Sequence, residues 1–319
     1  MMDILQKPRV YQKKMTFFNC FDYPVCLYLT NQNVPYQYLY SGNWTFRYRA
    51  VDDLSANVGG DDSKAEMLRA VYKTELVPIK EDSLARAFER ARGYVLTCGD
   101  GWHLPWTFNY KREHRPHWFL ALDYRGEDST VRIVDKIPEH DAREDVGVLD
   151  EAFRASGSTC YEFSGVEFEM NEGKLKEVLE GCRRNIDGRS PNEGLQGLRR
   201  FREDILARQE GCLDYVNRWW DQLKDLLDLR DQFVEFVYFL ACADESPVKG
   251  VVEDRAVETF DRTVNRWLAF RNGLLKTAMN QTFDYKRVVE RLDNIIASEE
   301  ECARELDRLL AQWGCGVER

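Results

Sequence analysis

The character of the sequence changes near residue 172, and this change limits the folds open to the chain. Before it, short runs of β-branched and aromatic residues alternate with turn residues, a pattern typical of a mixed α+β domain. After it, long charged segments carry apolar residues at helical spacing and contain few glycines and prolines. With 319 residues the chain is long enough for two domains. We therefore predict an α+β domain over residues 1–172 and a mostly helical bundle over residues 173–319.

Within the first part, local signals predict three helices and four strands. The helices are expected over residues 20–30, 61–72 and 84–92, the last capped by Ser83. The strands are expected over residues 44–49, 94–98, 117–124 and 130–136. A turn at residues 125–128 joins the last two strands into an antiparallel hairpin.

Within the second part, three amphipathic stretches predict the helices of the bundle. One covers residues 213–242, with a possible break near Asp228, and the others centre on Trp267 and Ile295. Residues 182–200 contain several arginines, glycines and asparagines, which predicts an irregular connection. The pair Trp219-Trp220 and the run 233–239 are either bundle core or the face of a homodimer, and core is the more common role of such residues.

Charge and cysteine content exclude several classes of protein. A formal charge of -10 disfavours non-specific nucleic-acid binding, which needs a basic face. No apolar run is long enough to span a membrane, and the first residues do not resemble a secretory signal. Nine scattered cysteines without a C-x-x-C pair indicate reduced thiols and no zinc finger. We therefore expect a cytoplasmic protein.

The predicted hairpin brings together a histidine and an aspartate. The chain has four histidines, and His117 opens the first hairpin strand while Asp135 lies at the end of the second. Three registers are open: Tyr124 pairs with Thr130, Tyr124 pairs with Ser129, or Asp123 pairs with Ser129. The last sets His117 directly opposite Asp135, and the other two offset them by one or two residues. Such a pair is the base and its orienting group in a catalytic triad, although most histidines and aspartates at strand ends are not catalytic.

A cysteine in the first predicted helix completes a possible triad. Cys20 lies where a loop meets the apolar helix, and a helix N-terminus favours a thiolate and offers free N–H groups to an oxyanion. Cys26, further along the same helix, is instead expected to be a small buried residue. The oxyanion donor is left open among Gln12, Asn19 and the backbone N–H of Cys20.

Four segments, in this order, resemble the N-terminal domain family of butirosin biosynthesis protein H. The resemblance covers about residues 15–170, and its most specific part is the Leu-Pro-aromatic segment followed by His-x-x-His. The segments are Asn19-Cys20 with the apolar helix after it, Asn43-Trp44-Thr45-Phe46-Arg47-Tyr48, Trp102-His103-Leu104-Pro105-Trp106 with Tyr110 and His114-Arg115-Pro116-His117 after it, and Val131-Arg132-Ile133-Val134-Asp135. One departure is Asn19, where the family more often has His.

This resemblance implies a papain-like cysteine-peptidase fold turned to acyl transfer. The catalytic residues would be Cys20 as nucleophile, His117 as base and Asp135 as orienting group. The acyl group would come from a thioester on the phosphopantetheine arm of an acyl or peptidyl carrier protein and pass to an amine, in the biosynthesis of a natural product such as an antibiotic. No other cofactor and no metal is implied. The expected substrate-binding residues are Asn19, Trp102, His103, Trp106, Tyr110 and His114.

Other functions fit the same residues. The triad would serve a hydrolase or peptidase equally well, and a closed, dry pocket lined by Trp102, Trp106 and Tyr110 would favour transfer. Departures from the family pattern also allow a non-catalytic scaffold. A metal site of His114, His117 and Asp135 is disfavoured because no HExxH motif is present.

An acidic carrier protein needs a basic docking site on this acidic chain. Two clusters of basic residues are candidates. They are Lys111-Arg112 with Arg115, and Arg183-Arg184 with Arg189.

Overall fold

The computed structural model describes residues 5–12, 18–52, 61–91, 93–136 and 138–314. Counting only these residues, the chain forms two compact units. Unit 1 comprises Met1–Arg9, Phe18–Tyr36 and Asp61–Glu169, and unit 2 comprises Val10–Phe17, Gln37–Gly60 and Met170–Arg319. This division differs from the predicted one, because two N-terminal segments join the helical unit and no single cut at residue 172 separates the units.

Within the described residues, unit 1 is an antiparallel sheet with four α-helices. The helices are α1 (Asp22–Asn31), α2 (Asp61–Tyr72), α3 (Leu84–Arg90) and α4 (Val146–Ala155). The strands are β1 (Leu76–Pro78), β2 (Val95–Asp100), β3 (Pro116–Arg125), β4 (Thr130–Asp135), β5 (His140–Asp145) and β6 (Cys160–Phe163). Their order in the sheet is β1-β6-β2-β3-β4-β5, and all neighbours are antiparallel. The predicted α+β class is confirmed.

The central strand β3 has a helix on each face. Successive side chains of a strand point to opposite faces. Phe119 and Ala121 accordingly join the core formed with Phe153 of α4. Trp118 faces the other way and meets the ring of Phe21, directly before α1, edge to face at 5.4 Å. The first residues of β3 are therefore held between α4 on one face of the sheet and the start of α1 on the other.

Unit 2 contains five helices among the described residues. They are α5 (Glu172–Asp187), α6 (Gly194–Arg208), α7 (Val216–Cys242), α8 (Asp254–Asn280) and α9 (Tyr285–Gly314). The predicted break near Asp228 is wrong, because α7 continues through this residue. The Asp228 side chain stays partly exposed and pairs with Lys224 one turn earlier at 2.9 Å. The irregular connection is also shorter than predicted: α5 continues to Asp187 and ends at Gly188, which takes a φ of 87°.

The predicted strand over residues 44–49 is absent. Arg47 makes only an isolated bridge with Glu193. The apolar residues Trp44, Phe46 and Tyr48 are instead buried in unit 2. Their β-like composition reflects burial against helices, a context that propensity alone does not distinguish from a sheet.

The apolar residues of α7 lie in the core of unit 2. Trp219, Phe233 and Phe239 are fully buried within the chain, so they do not offer a dimer face. Whether the chain forms a homodimer stays a prediction. Among the described residues, no helix is long and apolar enough to cross a membrane.

A buried carboxylate organises the centre of unit 2. Glu299 accepts hydrogen bonds from Arg230 at 3.1 Å and from the indole N–H of Trp267 at 2.7 Å. The indole N–H of Trp44 donates to its other oxygen. Arg230 also donates to the carbonyl of Thr45 at 2.9 Å and lies over the Trp44 ring. Because both charges are buried, each is tolerated only through the other.

We therefore expect Arg230→Met to lower the free energy of unfolding by about 3–5 kcal/mol, because it leaves the Glu299 charge buried and unpaired. Urea unfolding followed by circular dichroism measures the change. The control is Lys224→Met, which breaks the partly exposed pair with Asp228 and should cost less than about 0.5 kcal/mol. Equal losses in the two variants would contradict the importance given to this buried pair.

Candidate active site

Cys20 lies in the turn that leads into α1, and Asn19 caps this turn. The Asn19 side-chain oxygen accepts hydrogen bonds from the backbone N–H groups of Phe21 at 3.0 Å and Asp22 at 2.7 Å. The Asn19 carbonyl accepts from the backbone N–H of Tyr23 at 3.2 Å, so the chain already turns as a helix at Cys20, two residues before α1 begins. The thiol is half-buried at this position.

A buried ion pair anchors this turn to α2. The ammonium of Lys64 on α2 pairs with the carboxylate of Asp22, and both side chains are almost fully buried. The same ammonium lies 5.6 Å from the centre of the Phe21 ring. The turn that carries Cys20 is therefore anchored to α2 by charge and by an aromatic contact.

His117 and Asp135 meet across the hairpin, but diagonally. The hairpin has a bulge near its loop, and beyond it Leu120 faces Val134. This is the register in which Tyr124 would face Thr130, so the register with His117 directly opposite Asp135 is wrong. An offset of two residues keeps both side chains on one face of the sheet. His117 Nε2 lies 2.5 Å from an Asp135 side-chain oxygen.

His117 also interacts with Cys20. Burial acts to lower the pKa of His117, but hydrogen bonds to Asp135 and Cys20 outweigh it and raise that pKa to about 9. The ring is therefore a cation at neutral pH, which is the form that can give a proton to a leaving group.

Asp135 is held by three hydrogen-bond donors. Besides His117, the indole N–H of Trp106 donates to one of its oxygens at 3.0 Å, and the backbone N–H of Lys136 donates to the other at 2.7 Å. Trp106 itself stacks on His140 with 4.6 Å between ring centres and 6° between planes. The expected contact of Trp106 with substrate stays a prediction, and the structure gives this residue a further role as a support for Asp135. Nothing in a single sequence signals this, because the contact depends on how the loop before β3 folds back.

The loop between β2 and β3 carries the other predicted substrate-binding residues. It is closed at its base by a hydrogen bond from the Gly101 N–H to the Arg115 carbonyl at 2.8 Å. His103, Tyr110 and Trp102 are partly exposed. The backbone N–H of Trp102 donates to the Asp100 side chain at 3.0 Å. Their contacts with substrate stay predictions.

His114 lies apart from the triad, on Asp100. Its Nδ1 is 2.6 Å from an Asp100 oxygen, and its ring stacks on Trp102 at 4.7 Å. Burial acts to raise the pKa of Asp100, but the hydrogen bonds from His114 and from the Trp102 N–H lower that pKa on balance. His114 and His117 therefore serve different carboxylates, as expected for histidines three residues apart in an extended run.

One of the three candidate oxyanion donors is engaged elsewhere, since the Gln12 side-chain amide donates to the Asp231 carbonyl at 2.9 Å within unit 2. The Asn19 side-chain oxygen accepts hydrogen bonds from the turn before α1, and the Asn19 NH2 group stays a candidate donor. The backbone N–H of Cys20 has no acceptor among the described residues, so it is the donor that best fits an oxyanion formed at the thiol.

Cys20 differs from the other cysteines in its surroundings. The eight cysteines within the described residues form no disulfide. Burial raises the pKa of Cys160 and Cys182 to about 12 and that of Cys212 to about 11, which keeps these thiols protonated and inert. Cys242 is exposed, which makes it the natural reference for the reactivity of Cys20.

We expect Trp106→Phe to slow the alkylation of Cys20 by iodoacetamide roughly three- to tenfold, because one hydrogen bond to the charged Asp135 is lost while most of the packing is kept. Intact-protein mass against time measures the rate. Trp102→Phe is the matched control, since Trp102 stacks on His114 and not on the triad. An unchanged rate in Trp106→Phe would show that Asp135 does not need the indole.

The raised pKa of His117 also predicts how stability depends on pH. Its folded-state pKa of about 9 exceeds the ordinary 6.5, so its contribution is full below pH 6.5 and disappears as pH rises through 9. The advantage of the wild type over His117→Gln should therefore shrink by roughly 3 kcal/mol between pH 6 and pH 10. Urea unfolding at both pH values measures it. An advantage that grows with pH would mean that the folded ring is neutral.

Comparison with known proteins adds no family assignment. No protein-family model matches the chain, and no curated protein matches it significantly. The resemblance drawn from the four quoted segments therefore stays a prediction. What the chain does has to be argued from the geometry of Cys20, His117 and Asp135.

Proposed function

We propose that the protein is a cysteine-dependent acyltransferase whose nucleophile is Cys20. The observation that carries this proposal is the position of His117, which contacts Asp135 through Nε2 and also interacts with the Cys20 thiol. A helix that begins at the nucleophile, and a strand that begins at the base, are what a papain-like domain would supply. We extend the proposal to that fold on the same grounds.

The first half of the reaction transfers the acyl group to the enzyme. The Cys20 thiolate attacks the carbonyl carbon of a thioester, and the backbone N–H of Cys20 stabilises the oxyanion that forms. When the intermediate collapses, the bond from carbon to the donor sulfur breaks and the bond to Cys20 Sγ remains. His117 gives its proton to the departing thiolate, which leaves as a free thiol.

The second half passes the acyl group to an amine. His117 is now neutral and accepts a proton from the amine as its nitrogen attacks the thioester on Cys20. The carbon–sulfur bond then breaks, an amide leaves, and the pair of thiolate and imidazolium is restored. Asp135 stabilises the imidazolium in each resting state and keeps the ring oriented. The cycle needs no oxidant, reductant or further cofactor.

A carrier-bound thioester suits this site as a donor. Exchange between two thioesters costs little energy, so a cysteine nucleophile is well matched to it. The loop that leads to His117 presents Lys111 and Arg112, both exposed, to an acidic partner. The other basic cluster is less suited, because Arg183 already pairs with Asp187 and Asp307. An acyl or peptidyl carrier protein in the cytoplasm is therefore our proposed partner.

Hydrolysis is the second candidate, and one observation supports it. Transfer is favoured by a dry pocket, but the three aromatic residues expected to line one, Trp102, Trp106 and Tyr110, are all partly exposed to solvent. If these side chains do not exclude water, an acyl group on Cys20 is open to hydrolysis. Both functions require the same triad, whereas a non-catalytic scaffold does not.

The test is the mass of the intact protein after brief exposure to acyl thioesters of N-acetylcysteamine and to acylated carrier proteins. We expect one acyl adduct on the wild type and none on Cys20→Ala. The matched control, Cys242→Ala, should keep the adduct, because it leaves Cys20 and His117 unchanged. In His117→Ala the adduct should form more slowly by tenfold or more.

The fate of the adduct then separates the candidates. Loss to added amines with formation of an amide supports transfer, and loss at the same rate without amines supports hydrolysis. If Cys20 and Cys242 acquire the adduct equally fast, both enzyme proposals are wrong and the scaffold alternative takes their place.

A further inference from the structure

Two histidines and two carboxylates converge at the end of β2, away from the triad. The group consists of Asp100, His103 and His114, with Glu151 beside it on α4. One ligand atom of each of Asp100, His103 and His114 lies within 4.8 Å of the other two. His103 Nδ1 is 3.3 Å from a Glu151 oxygen. Neither the proposed reaction nor the register of the hairpin requires these side chains to meet.

We propose that Asp100, His103 and His114 bind a divalent transition-metal ion of the zinc class, with Glu151 or water as the fourth ligand. Imidazole nitrogens and carboxylate oxygens are the donors that such ions prefer, and two histidines with one carboxylate are a frequent set. The proposal is independent of the acyl transfer assigned to Cys20.

The side chains are already oriented for such an ion. Asp100 is nearly buried, and its Oδ1 is fixed by the N–H of Trp102, so Oδ2 is the oxygen that faces His114. The His114 ring is held nearly parallel to Trp102, with 14° between the planes. The loop that carries these residues is tied across by a hydrogen bond from the Lys111 N–H to the Trp102 carbonyl at 3.1 Å. Ligands on a closed loop lose little entropy on binding.

Only small movements separate this arrangement from a tetrahedral site. With bonds of about 2.0–2.1 Å, a tetrahedral ion holds its ligand atoms about 3.4 Å apart. The widest separation therefore has to shorten from at most 4.8 Å to that value. The 2.6 Å between His114 Nδ1 and the Asp100 oxygen has to lengthen to the same value. The His114 side chain is exposed, and its hydrogen bond to Asp100 is replaced by two bonds to the ion.

The spacing of these residues also explains why no sequence motif indicates the cluster. The first two residues have the spacing D-x-x-H, and His114 follows eleven residues after His103. No common metal motif has this spacing, and His103 and His114 were assigned to substrate binding through the resemblance alone. The loop has to fold back on β2 before the cluster exists.

The experiment is a titration of the full chain with zinc by calorimetry, and with cobalt by visible absorption, after treatment with a chelator. We expect one site, and at least a tenfold loss of affinity in His103→Asn and in His114→Gln. Asp100→Asn keeps the oxygen that accepts from Trp102 and should also lose affinity. The cobalt spectrum should lack the charge-transfer band of a thiolate ligand.

Two controls test whether any binding belongs to this cluster. His140→Gln removes a histidine that pairs with Glu144 at 2.9 Å, and Cys20→Ser removes the half-buried thiol. Both should bind zinc as the wild type does. Zinc binding that survives in His103→Asn and His114→Gln, or that is lost in Cys20→Ser, would overturn the proposal, as would the absence of binding at millimolar zinc. Thermal melting of each variant without metal checks that it is folded.

Discussion

The carboxylate of Asp135 is the constraint on which the rest of the candidate site depends. It is nearly fully buried, and it is surrounded by the imidazole of His117, the indole of Trp106 and the backbone N–H of Lys136. A buried charge of this kind is tolerated only when its neighbours are polar and correctly placed. The same requirement that stabilises Asp135 therefore fixes the His117 ring, which also interacts with Cys20. Stability and the geometry of the candidate site have a common origin here.

How far the sequence predicts the fold depends on how local each signal is. The helix over residues 61–72 follows from a short amphipathic repeat, and its bounds are those of α2. The hairpin of β3 and β4 follows from two alternating runs and a turn. Trp44 and its neighbours look like a strand, yet they are buried against helices, because the partner of an apolar segment is chosen by the whole chain. The strands β1 and β6 are too short to stand out.

The site shows the same division between local and distant information. That His117 and Asp135 meet is predictable, since a hairpin brings residues on one face together in more than one register. The diagonal contact that forms depends on a bulge next to the loop, and no residue type in the sequence indicates this bulge. The hydrogen bond from Trp106, and the capping of α1 by Asn19, depend on how two loops turn. These supporting contacts lie beyond what residue spacing reveals.

The interleaving of the two units has a consequence for how the chain is made. Trp44 is synthesised early, but the buried Glu299 that accepts its hydrogen bond lies about 250 residues later, in α9. Contacts so distant in sequence have to wait for loop closure over the whole intervening chain. During translation, the indole N–H of Trp44 therefore stays without its carboxylate acceptor until α9 leaves the ribosome. Phe233 and Phe260, which pack on the Trp44 ring, are made earlier, so this segment meets its apolar partners first and its buried polar partner last.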